Sequence, residues 1–367
     1  MKKILINFLG IGDSGTVFTF EMAKGLYQNG YEIYAIISKY AENLKDWERA
    51  SFINKLVIVD THSSKVDYIK HIFKYTKIVE KFVYEQLGDI EFDCTIRTFP
   101  HPMLGTVEKK LIIKQNITIC HDPISHSGTS LIAVIRDNII MRKADKLIVL
   151  TEKFRKTVAK KYKKNIKDVI YMPHGLMGAY KEKQKNSNMI VYDESKFNFL
   201  FFGRIQDYKG LEILGDAFAK LERKFDNVTL TVAGKGDFNK FSSHYSMLHH
   251  FTLINRYIKE EEVGNLFDSN SVIAVIPYVD ATQSGVIPIA IEYENPIISS
   301  NAGGLVEQLN DGKIGLFFEN GNCDDLYKKM SEVIDNRDII LGMKRDMKNY
   351  SRQLSWDVVT KVFKEIV

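Results

Sequence analysis

The 367-residue chain has few cysteines and no long apolar segment. Cys94, Cys120 and Cys323 are far apart, so their spacing predicts neither a disulfide framework nor a metal or redox motif. Such cysteine usage is typical of a reduced compartment. No apolar run approaches the ~20 residues of a membrane-spanning helix, and no small-residue cleavage site follows the interrupted apolar start. We therefore expect a cytoplasmic protein, with any membrane contact peripheral at the inner face of the cell membrane.

The charge of the chain is unevenly distributed. Residues 1–190 carry 31 Lys and Arg against 20 Asp and Glu, a net of +11, whereas residues 191–367 carry 20 against 26, a net of −6. The length suits two domains of about 180 residues each. A basic first half suggests an anionic partner, either a membrane surface with a lipid-linked phosphate acceptor or nucleic acid. A merely lysine-rich surface is the alternative.

A glycine-rich turn follows the first predicted strand, Lys3–Leu9, and precedes a predicted helix over 16–29. The sequence GIGDSG at 10–15 has the spacing of a dinucleotide-binding turn. The second strand, Glu32–Ile37, is followed by Ser38 and Lys39 instead of the acid that would bind a ribose, which argues against NAD. A turn beside some other ligand and a purely structural turn are favoured, and dinucleotide binding stays the third alternative.

Histidines follow two further strands, predicted over 92–97 and 116–120. His101 lies shortly after the first strand, His121 directly after the second, and His126 close behind. The carboxyl ends of parallel strands are where ligands bind in such sheets. The three histidines do not have the spacing of metal ligands, so we expect no metal site.

Two lysine-rich helices stand out in the first half. One is predicted over 66–86, and the other starts at Thr151, a predicted N-cap, and ends in the cluster Lys160–Lys164. The first either contacts an anionic membrane or packs on the sheet with a solvated lysine face, and the cationic cluster that ends the second is a candidate for membrane contact. Only Tyr162 interleaves the cluster with an aromatic ring, which is too little to predict nucleic-acid binding.

The second half contains strands predicted over 199–202, 228–233, 252–258 and 272–277, with glycine turns after the first two. Arg204 and Lys209 lie five residues apart in the loop after the first of these strands. At the carboxyl end of a parallel strand, two such cations are well placed to neutralise two phosphates.

The segment 281–307 predicts a loop (TQSG at 282–285), a helix over 286–293, a short strand over 297–299 and a glycine turn. Free N–H groups and the helix dipole at the helix start favour a phosphate. Glu292 follows Ser284 by eight residues, about two helical turns. A diphosphate at the helix start and this carboxylate for sugar hydroxyls would form a nucleotide-sugar pocket. An ordinary strand–loop–helix unit remains the alternative on this segment alone.

The blocks FFGRIQDYKG, VAGKGD, INRYI and VIPYVDATQSGVIPIAIEYENPIISSNAGGLVE occur in this order within residues 195–345. Together they resemble the donor domain of GT-B-fold retaining glycosyltransferases of family 4. The resemblance implies an α/β fold with GT-B architecture: two Rossmann-like parallel-sheet domains facing a cleft, and a C-terminal helix crossing back. It implies an N-terminal acceptor-side domain at 1–180, a linker at 181–195, a donor domain at 196–349 and a returning segment at 350–367, with its helix over 358–367.

The resemblance also implies roles for individual residues. Arg204 and Lys209 would contact the donor diphosphate, and His121 would orient the donor sugar by hydrogen bonding; these three form the expected catalytic set. Glu292 would bind the ribose hydroxyls, and the remaining donor-binding positions would be Gly12, Gly234, Tyr257 and the loop amides of Ser284, Gly285 and Val286. Weaker acceptor-side candidates are Asp13, His101 and His126. No metal or cofactor is required.

The implied reaction is hexosyl transfer with retention, from a nucleotide-sugar, expected to be a UDP-sugar, to a hydroxyl of a glycan or lipid-linked acceptor. Bacterial cell-surface polysaccharide or glycoconjugate synthesis is the expected context, with no nucleic-acid partner. Ser284 stands where the family usually has the first of two glutamates eight residues apart, which is typical of a subgroup with a TQSG loop. Two other functions stay open: a non-catalytic sugar-nucleotide-binding subunit, and a GT-B-fold sugar-nucleotide 2-epimerase.

Overall fold

A computed structural model describes residues 1–12, 14–61, 65–124, 131–184 and 189–367, with the backbone alone over 65–75. The strands are β1 Lys3–Phe8, β2 Glu32–Ser38, β3 Ile53–Val59, β4 Glu91–Phe92, β5 Cys94–Arg97, β6 Ile112–Ile113, β7 Asn116–Cys120, β8 Lys146–Val149, β9 Val169–Tyr171, β10 Phe197–Phe202, β11 Val228–Ala233, β12 Phe251–Ile254, β13 Val272–Ile276, β14 Ile297–Ser300 and β15 Leu316–Phe318.

The helices are α1 Ser14–Gln28, α2 Leu44–Arg49, α3 Lys65–Leu87, α4 Leu104–Glu108, α5 Leu131–Lys143, α6 Arg155–Tyr162, α7 Ala179–Glu182, α8 Leu211–Glu222, α9 Glu260–Phe267, α10 Val286–Glu292, α11 Leu305–Gln308, α12 Cys323–Asp335, α13 Arg337–Ser351, α14 Trp356–Val359 and α15 Phe363–Ile366. Alternation of strands with helices is the pattern of a parallel α/β protein, which confirms the predicted fold class.

The chain divides into two compact units. The first contains Met1–Gly175 and Leu354–Val367, and the second contains Leu176–Gln353.

The first unit is built on a seven-stranded sheet with the order β3-β2-β1-β5-β7-β8-β9, and the paired strands are parallel. Ile4, Leu5 and Ile6 of the central strand β1 are fully buried, as expected for a strand covered on both faces. The order reverses between β1 and β5, and such a switch point opens a crevice at the carboxyl ends of the strands.

The described turns of α3 pack on this unit, because Val79 and Val83 are buried in one cluster with Val57 and Val59 of β3. The remaining lysine-rich helix starts differently from the prediction. Thr151 forms no capping side-chain hydrogen bond, and a 3₁₀ turn over Glu152–Phe154 precedes α6.

The last residues of the first unit return to helix α1. The predicted single helix over 358–367 is wrong: α14, a 3₁₀ turn at Thr360–Val362 and α15 take its place. The Thr360 hydroxyl donates to the Trp356 carbonyl, and the Asn29 amide donates to the Asp357 carbonyl oxygen at 2.7 Å and to Thr360 Oγ1 at 2.9 Å. These tertiary bonds stabilise an irregular turn that sequence periodicity does not reveal.

The second unit is built on a six-stranded sheet with the order β12-β11-β10-β13-β14-β15, again with parallel pairs. The strand predicted over 252–258 is shorter than expected and ends at Ile254. The next two side chains engage other loops, since Asn255 pairs with Gly236 and the Arg256 guanidinium binds the Glu262 carboxylate at 2.7 Å. Among the described residues, no helix is both long and apolar enough to span a membrane.

Candidate active site

Two glycine turns fix the carboxyl edge of the second sheet. Gly234 has a φ of +147°, which side-chain-bearing residues rarely adopt, and a Cβ there would collide with the carbonyl oxygen of Gly203. The neighbouring Ile205 N–H donates to the Lys235 carbonyl at 3.0 Å. The loops after β10 and β11 are therefore held against each other, which gives the predicted donor-binding position Gly234 a structural reason to be glycine.

Arg204 lies on the first of these loops. Its side chain is exposed, and its guanidinium forms no hydrogen bond or ion pair with any residue that the structure describes. A cation held at the end of a parallel strand without a protein counter-ion is available to an anionic ligand.

Lys209 reaches the same edge through an aromatic contact. Its ammonium lies 3.5 Å from the centroid of the Tyr278 ring and 4.8 Å from that of Tyr208, which are cation–π distances. Burial raises the pKa of Tyr278 to about 12, with a smaller opposing effect of the Ser284 hydrogen bond and then of the nearby Arg204 charge. Tyr278 thus stays neutral near pH 7 and contacts Lys209, one of the two predicted diphosphate-binding cations.

Tyr278 also contacts the predicted phosphate-binding loop, because its hydroxyl lies 3.4 Å from Ser284 Oγ. It is almost fully buried. The strand predicted over 272–277 stops short of Tyr278, which is not among the predicted site residues. A lone tyrosine after a buried strand gives no distinctive signal, since its contacts come from loops distant in sequence.

The loop amides at 284–286 differ in their availability. The Ser284 N–H donates to Gln308 Oε1 at 2.6 Å, and the Gln308 amide donates back to the Ser284 carbonyl at 3.2 Å. The Val286 N–H donates to Ser284 Oγ at 3.2 Å. Two of the three predicted amides are thus occupied, whereas the Gly285 N–H has no hydrogen-bond partner within the described parts of the chain.

Gln308 is a further residue that sequence reasoning missed. Its side chain bonds both polar backbone groups of Ser284, 24 positions earlier, and so positions the loop that precedes α10. Only its place just after the glycine turn could have drawn attention to it.

Glu292 lies at the last turn of α10. Its carboxylate is half-buried and forms no hydrogen bond with a described residue. Burial raises the pKa of Glu292, and the charge of Lys181 partly offsets this effect. The Lys181 ammonium donates to the backbone carbonyl of Glu292 at 3.4 Å, so the carboxylate oxygens stay available to hydroxyl groups.

Tyr257 follows the turn after β12, at the same edge of the second sheet. Its side chain is 39% exposed, and the Arg256 guanidinium donates to its carbonyl at 3.0 Å. The Arg256 guanidinium also binds the Glu262 carboxylate, so these hydrogen bonds hold the backbone at Tyr257 in place.

The other predicted positions belong to the first unit. A Cβ at Gly12 would lie 2.7 Å from a carboxylate oxygen of Glu42, and the Glu42 N–H donates to the Ile11 carbonyl at 2.8 Å. The glycine therefore allows Glu42 to approach the turn closely. Asp13 and His126, both weak acceptor-side candidates, lie outside the described residues.

His121 is held firmly at the carboxyl end of β7. Its Nε2 lies 3.0 Å from the Thr98 carbonyl, to which it donates, and its ring stacks on Phe99 at 4.0 Å between centroids. Burial lowers the pKa of His121 to about 4, so the imidazole is neutral near pH 7.

Two more histidines flank this position. His101 Nδ1 accepts a hydrogen bond from the Met103 N–H at 3.2 Å, ahead of α4. The buried His174, which was not predicted as a site residue, donates from Nδ1 to the Gly175 carbonyl at 2.7 Å, and burial lowers its pKa to about 4. His121 and His174 each contact the edge or face of the Phe18 ring, at 4.9 and 5.0 Å between centroids.

No group of three or more His, Cys, Asp or Glu side chains suited to a metal ion occurs in the described part of the chain. In the second unit, Lys209 and Ser284 contact Tyr278, and Arg204 is near enough for its charge to lower the pKa of that tyrosine. Two cations and an accessible carboxylate in one Rossmann-like unit suit a ligand that carries both phosphates and hydroxyls.

Comparison with known proteins agrees with this chemistry. Residues 182–354 match the family of glycosyl transferases group 1. Over 339 residues the chain is 27% identical to the uncharacterized glycosyltransferase MJ1178 of Methanocaldococcus jannaschii, covering 87% of this chain and 88% of that protein.

Two solved structures share the fold. The sucrose-phosphate synthase of Thermosynechococcus elongatus has a TM-score of 0.73 at 13% identity, covering 100% of this chain and 98% of that one. Anabaena HepE, in complex with UDP and glucose, has a TM-score of 0.72 at 12% identity, covering 100% and 99%.

The domain match and the archaeal relative identify a transferase enzyme. The chain is a glycosyltransferase, and its two parallel-sheet units have the GT-B fold.

Proposed function

We propose that this glycosyltransferase is a retaining enzyme of family 4, of the subgroup with a TQSG loop, and that it transfers a hexose from a UDP-sugar to an acceptor hydroxyl. The observation that carries the proposal is the set of unsatisfied charges on the second unit. The Arg204 guanidinium and the Glu292 carboxylate both lack protein hydrogen-bond partners among the described residues.

A departing nucleoside diphosphate develops negative charge as the glycosidic bond breaks. Arg204 and Lys209 would stabilise this charge, and the Gly285 N–H would add a neutral donor. The contact with the Tyr278 ring, 3.5 Å from the ammonium to the ring centroid, would help to position Lys209. Glu292 would accept hydrogen bonds from the ribose hydroxyls. This chemistry needs no metal or cofactor.

The state of His121 supports an orienting role. A pKa of about 4 makes His121 a weak base, and the hydrogen bond from Nε2 to the Thr98 carbonyl fixes the orientation of its ring. We infer that it orients the donor sugar, and that the sugar transfers with retention and without a protein nucleophile.

A glycan or lipid-linked acceptor in cell-surface polysaccharide or glycoconjugate synthesis is the context that we propose. The basic first half of the chain supports an acceptor carried at an anionic membrane, with the enzyme attached peripherally to the cytoplasmic face. The UDP and glucose bound to Anabaena HepE support the choice of a UDP-sugar donor.

One observation favours a second candidate, a non-catalytic subunit that binds a sugar-nucleotide. Ser284 replaces an acid of the resembled family, and its hydroxyl is already engaged by the Val286 N–H. The unpaired Arg204 and Glu292 weigh against this candidate, because they have the chemistry of a working donor site.

A donor panel separates the two candidates. UDP-, GDP- and dTDP-sugars are tested first by thermal shift and then by nucleotide diphosphate release, with and without a lipid-linked acceptor. Stabilisation by a UDP-sugar with acceptor-dependent release, and a product with the anomeric configuration of the donor, is expected. Binding without release under any acceptor would favour the non-catalytic subunit, and absence of binding would refute the donor site.

A further inference from the structure

Helix α5 of the first unit exposes an apolar stripe. The exposed fractions of its large aliphatic side chains are 74% for Leu131, 80% for Ile132, 52% for Ile135 and 50% for Ile139. At 3.6 residues per turn, positions 131, 135 and 139 lie on one face, with 132 beside them. The opposite side is anchored, because Met141 is buried in a cluster with Val158 of α6.

The same face becomes positively charged at its C-terminal end. Arg142 continues the row of positions 131, 135 and 139, and Lys143 continues that of 132 and 139. Both side chains are exposed and form no ion pair with described residues. The nearby acids are engaged elsewhere, since Asp137 pairs with Arg136 at 2.7 Å and Asp145 accepts from the Asn116 side chain at 2.7 Å.

Helix α6 extends the cationic end. Lys161 donates to the Pro123 carbonyl at 2.9 Å, and Lys164 donates to the Arg142 carbonyl at 3.0 Å. These two lysines fasten α6 to the segments around α5. Lys160 and Lys163, in contrast, are exposed and without an ion pair in the described residues. Within the cluster Lys160–Lys164, the ammonium groups of Lys160 and Lys163 are therefore available to an anionic partner.

We propose that this surface, formed by the α5 stripe (Leu131, Ile132, Ile135, Ile139) and the cationic end (Arg142, Lys143, Lys160, Lys163), docks on an anionic phospholipid surface. The aliphatic side chains insert between the lipid headgroups, and the cations bind lipid phosphates. The inference rests on the proposed function in one respect, since it places the enzyme where a lipid-linked acceptor resides.

Charge complementarity favours a lipid surface over a second copy of this chain. An isologous dimer through the stripe would bring the cationic end of each copy into the same interface. The six residues before the helix, SHSGTS at 125–130, contain no large apolar side chain that could cover the stripe.

Vesicle co-sedimentation of the full chain tests the surface. Wild type is expected to bind vesicles of equal parts phosphatidylcholine and phosphatidylglycerol, and to bind pure phosphatidylcholine more weakly. Ile132→Ser with Ile135→Ser should weaken binding by about 10- to 100-fold, because both side chains lose their apolar insertion. The matched control is Leu341→Ser with Met247→Ser, which removes two exposed apolar side chains of the second unit, 63% and 79% exposed, and should bind as wild type does.

The charge contribution is tested separately. Arg142→Gln with Lys143→Gln should lower binding to the anionic vesicles by about fivefold for each cation, and should reduce the salt dependence. Arg345→Gln with Lys348→Gln removes the same charge from the second unit and serves as the control. Equal vesicle binding by wild type and the Ile132/Ile135 double variant would overturn the proposal, as would a wild type that binds neither vesicle.

A positional measurement decides between docking and self-association. The fluorescence of an Ile132→Trp variant should shift to shorter wavelength on addition of anionic vesicles, whereas that of a Leu341→Trp variant should not. A concentration-dependent dimer that Ile132→Ser with Ile135→Ser abolishes, with unchanged vesicle binding, would overturn the proposal in favour of a second copy.

The docking surface and the proposed function can fail separately. The double variant should retain donor-induced thermal stabilisation. If wild type binds vesicles but no nucleotide-sugar, the proposed function fails and the docking surface stands.

Discussion

The two units differ in whether the polar side chains predicted to bind ligands have hydrogen-bond partners within the protein. At the edge of the first sheet, His121, His101 and His174 are each tied to a backbone group of the same unit. In the second unit, the Arg204 guanidinium at the carboxyl edge of the sheet and the Glu292 carboxylate at the C-terminal end of α10 have no hydrogen-bond partner among the described residues.

This difference indicates which side chains mainly fix the local structure and which are available to bind a ligand. A buried polar group that already has its hydrogen bonds mainly fixes local geometry, whereas an unpaired charge is costly unless solvent or a ligand compensates it. The second edge therefore has the larger capacity to bind a charged ligand, and changes there should affect catalysis most. At the first edge, a change at His174, to which no substrate contact is assigned, should be visible mainly in stability.

The largest effect is expected from Arg204→Ala. Loss of one preorganised donor to the departing diphosphate should lower kcat by about 10²- to 10³-fold, with the free energy of unfolding almost unchanged. The measurement is nucleotide diphosphate release with donor and acceptor at saturation. The control is Arg223→Ala, which removes an exposed arginine of the same unit and should leave kcat unchanged. Normal turnover of Arg204→Ala would contradict the assignment of Arg204 to the diphosphate.

Glu292→Gln should act on donor affinity. A hydrogen bond to a carboxylate contributes about 1.5–3 kcal/mol, so the Kd for the nucleotide-sugar should rise by roughly 10- to 100-fold. Because burial raises the pKa of Glu292, the wild-type carboxylate is protonated on acidification earlier than an ordinary glutamate. Wild-type affinity should therefore weaken as the pH falls, and calorimetric titration of Glu292→Gln should show no such dependence.

The neighbouring Glu294→Gln variant is the control for Glu292→Gln, since it removes the same charge from an exposed side chain two positions further on. Equal donor affinity of Glu292→Gln and wild type at all pH values would contradict the assignment of the ribose contact.

The smallest effect on catalysis, but a measurable one on stability, is expected from the buried His174, to which no substrate contact is assigned. The folded-state pKa of His174 is about 4, below its ordinary value of 6.5. Between these values the unfolded chain binds a proton that the folded chain excludes. The contribution of His174 to the free energy of unfolding is therefore fully present above about pH 6.5 and is lost as the pH falls towards 4. One such group contributes a slope of up to about 1.4 kcal/mol per pH unit.

Urea unfolding of the wild type and of His174→Gln at several pH values checks this. The acid-dependent loss of unfolding free energy should be smaller in the variant, whereas His249→Gln, at an exposed histidine, should follow the wild type. Parallel curves for His174→Gln and wild type would show that this histidine does not contribute to the acid response.

The regular elements were predictable because their signals are local. Continuous apolar strands and the glycine turns after them predicted the parallel α/β fold, and the strands 116–120 and 228–233 match β7 and β11 in full. The boundary errors arise from tertiary bonds. Asp93 interrupts the strand predicted over 92–97, because its carboxylate accepts the Lys3 N–H at 2.9 Å and pairs with Lys114 at 3.2 Å.

The site was predictable in its charged residues and less so in their supports. Arg204, Lys209 and Glu292 stand in motifs, so sequence spacing singles them out, and their assigned roles stay predictions. Tyr278 and Gln308 act through contacts with residues far away in the sequence, and no spacing rule identifies such contacts. The occupancy of the Ser284 amide by Gln308 is likewise a property of the folded chain alone.

The return of residues 354–367 to the first unit has a consequence for the order of folding during synthesis. Trp356 packs against Phe18 at 5.0 Å between ring centroids, and a Cβ at Gly25 would lie 2.6 Å from its backbone. Phe363 is fully buried in the same cluster. The ribosome makes the entire second unit before these residues emerge. The residues of the second unit are therefore all available before the segment that packs against Phe18 and Gly25 of α1, so the first unit completes its core last.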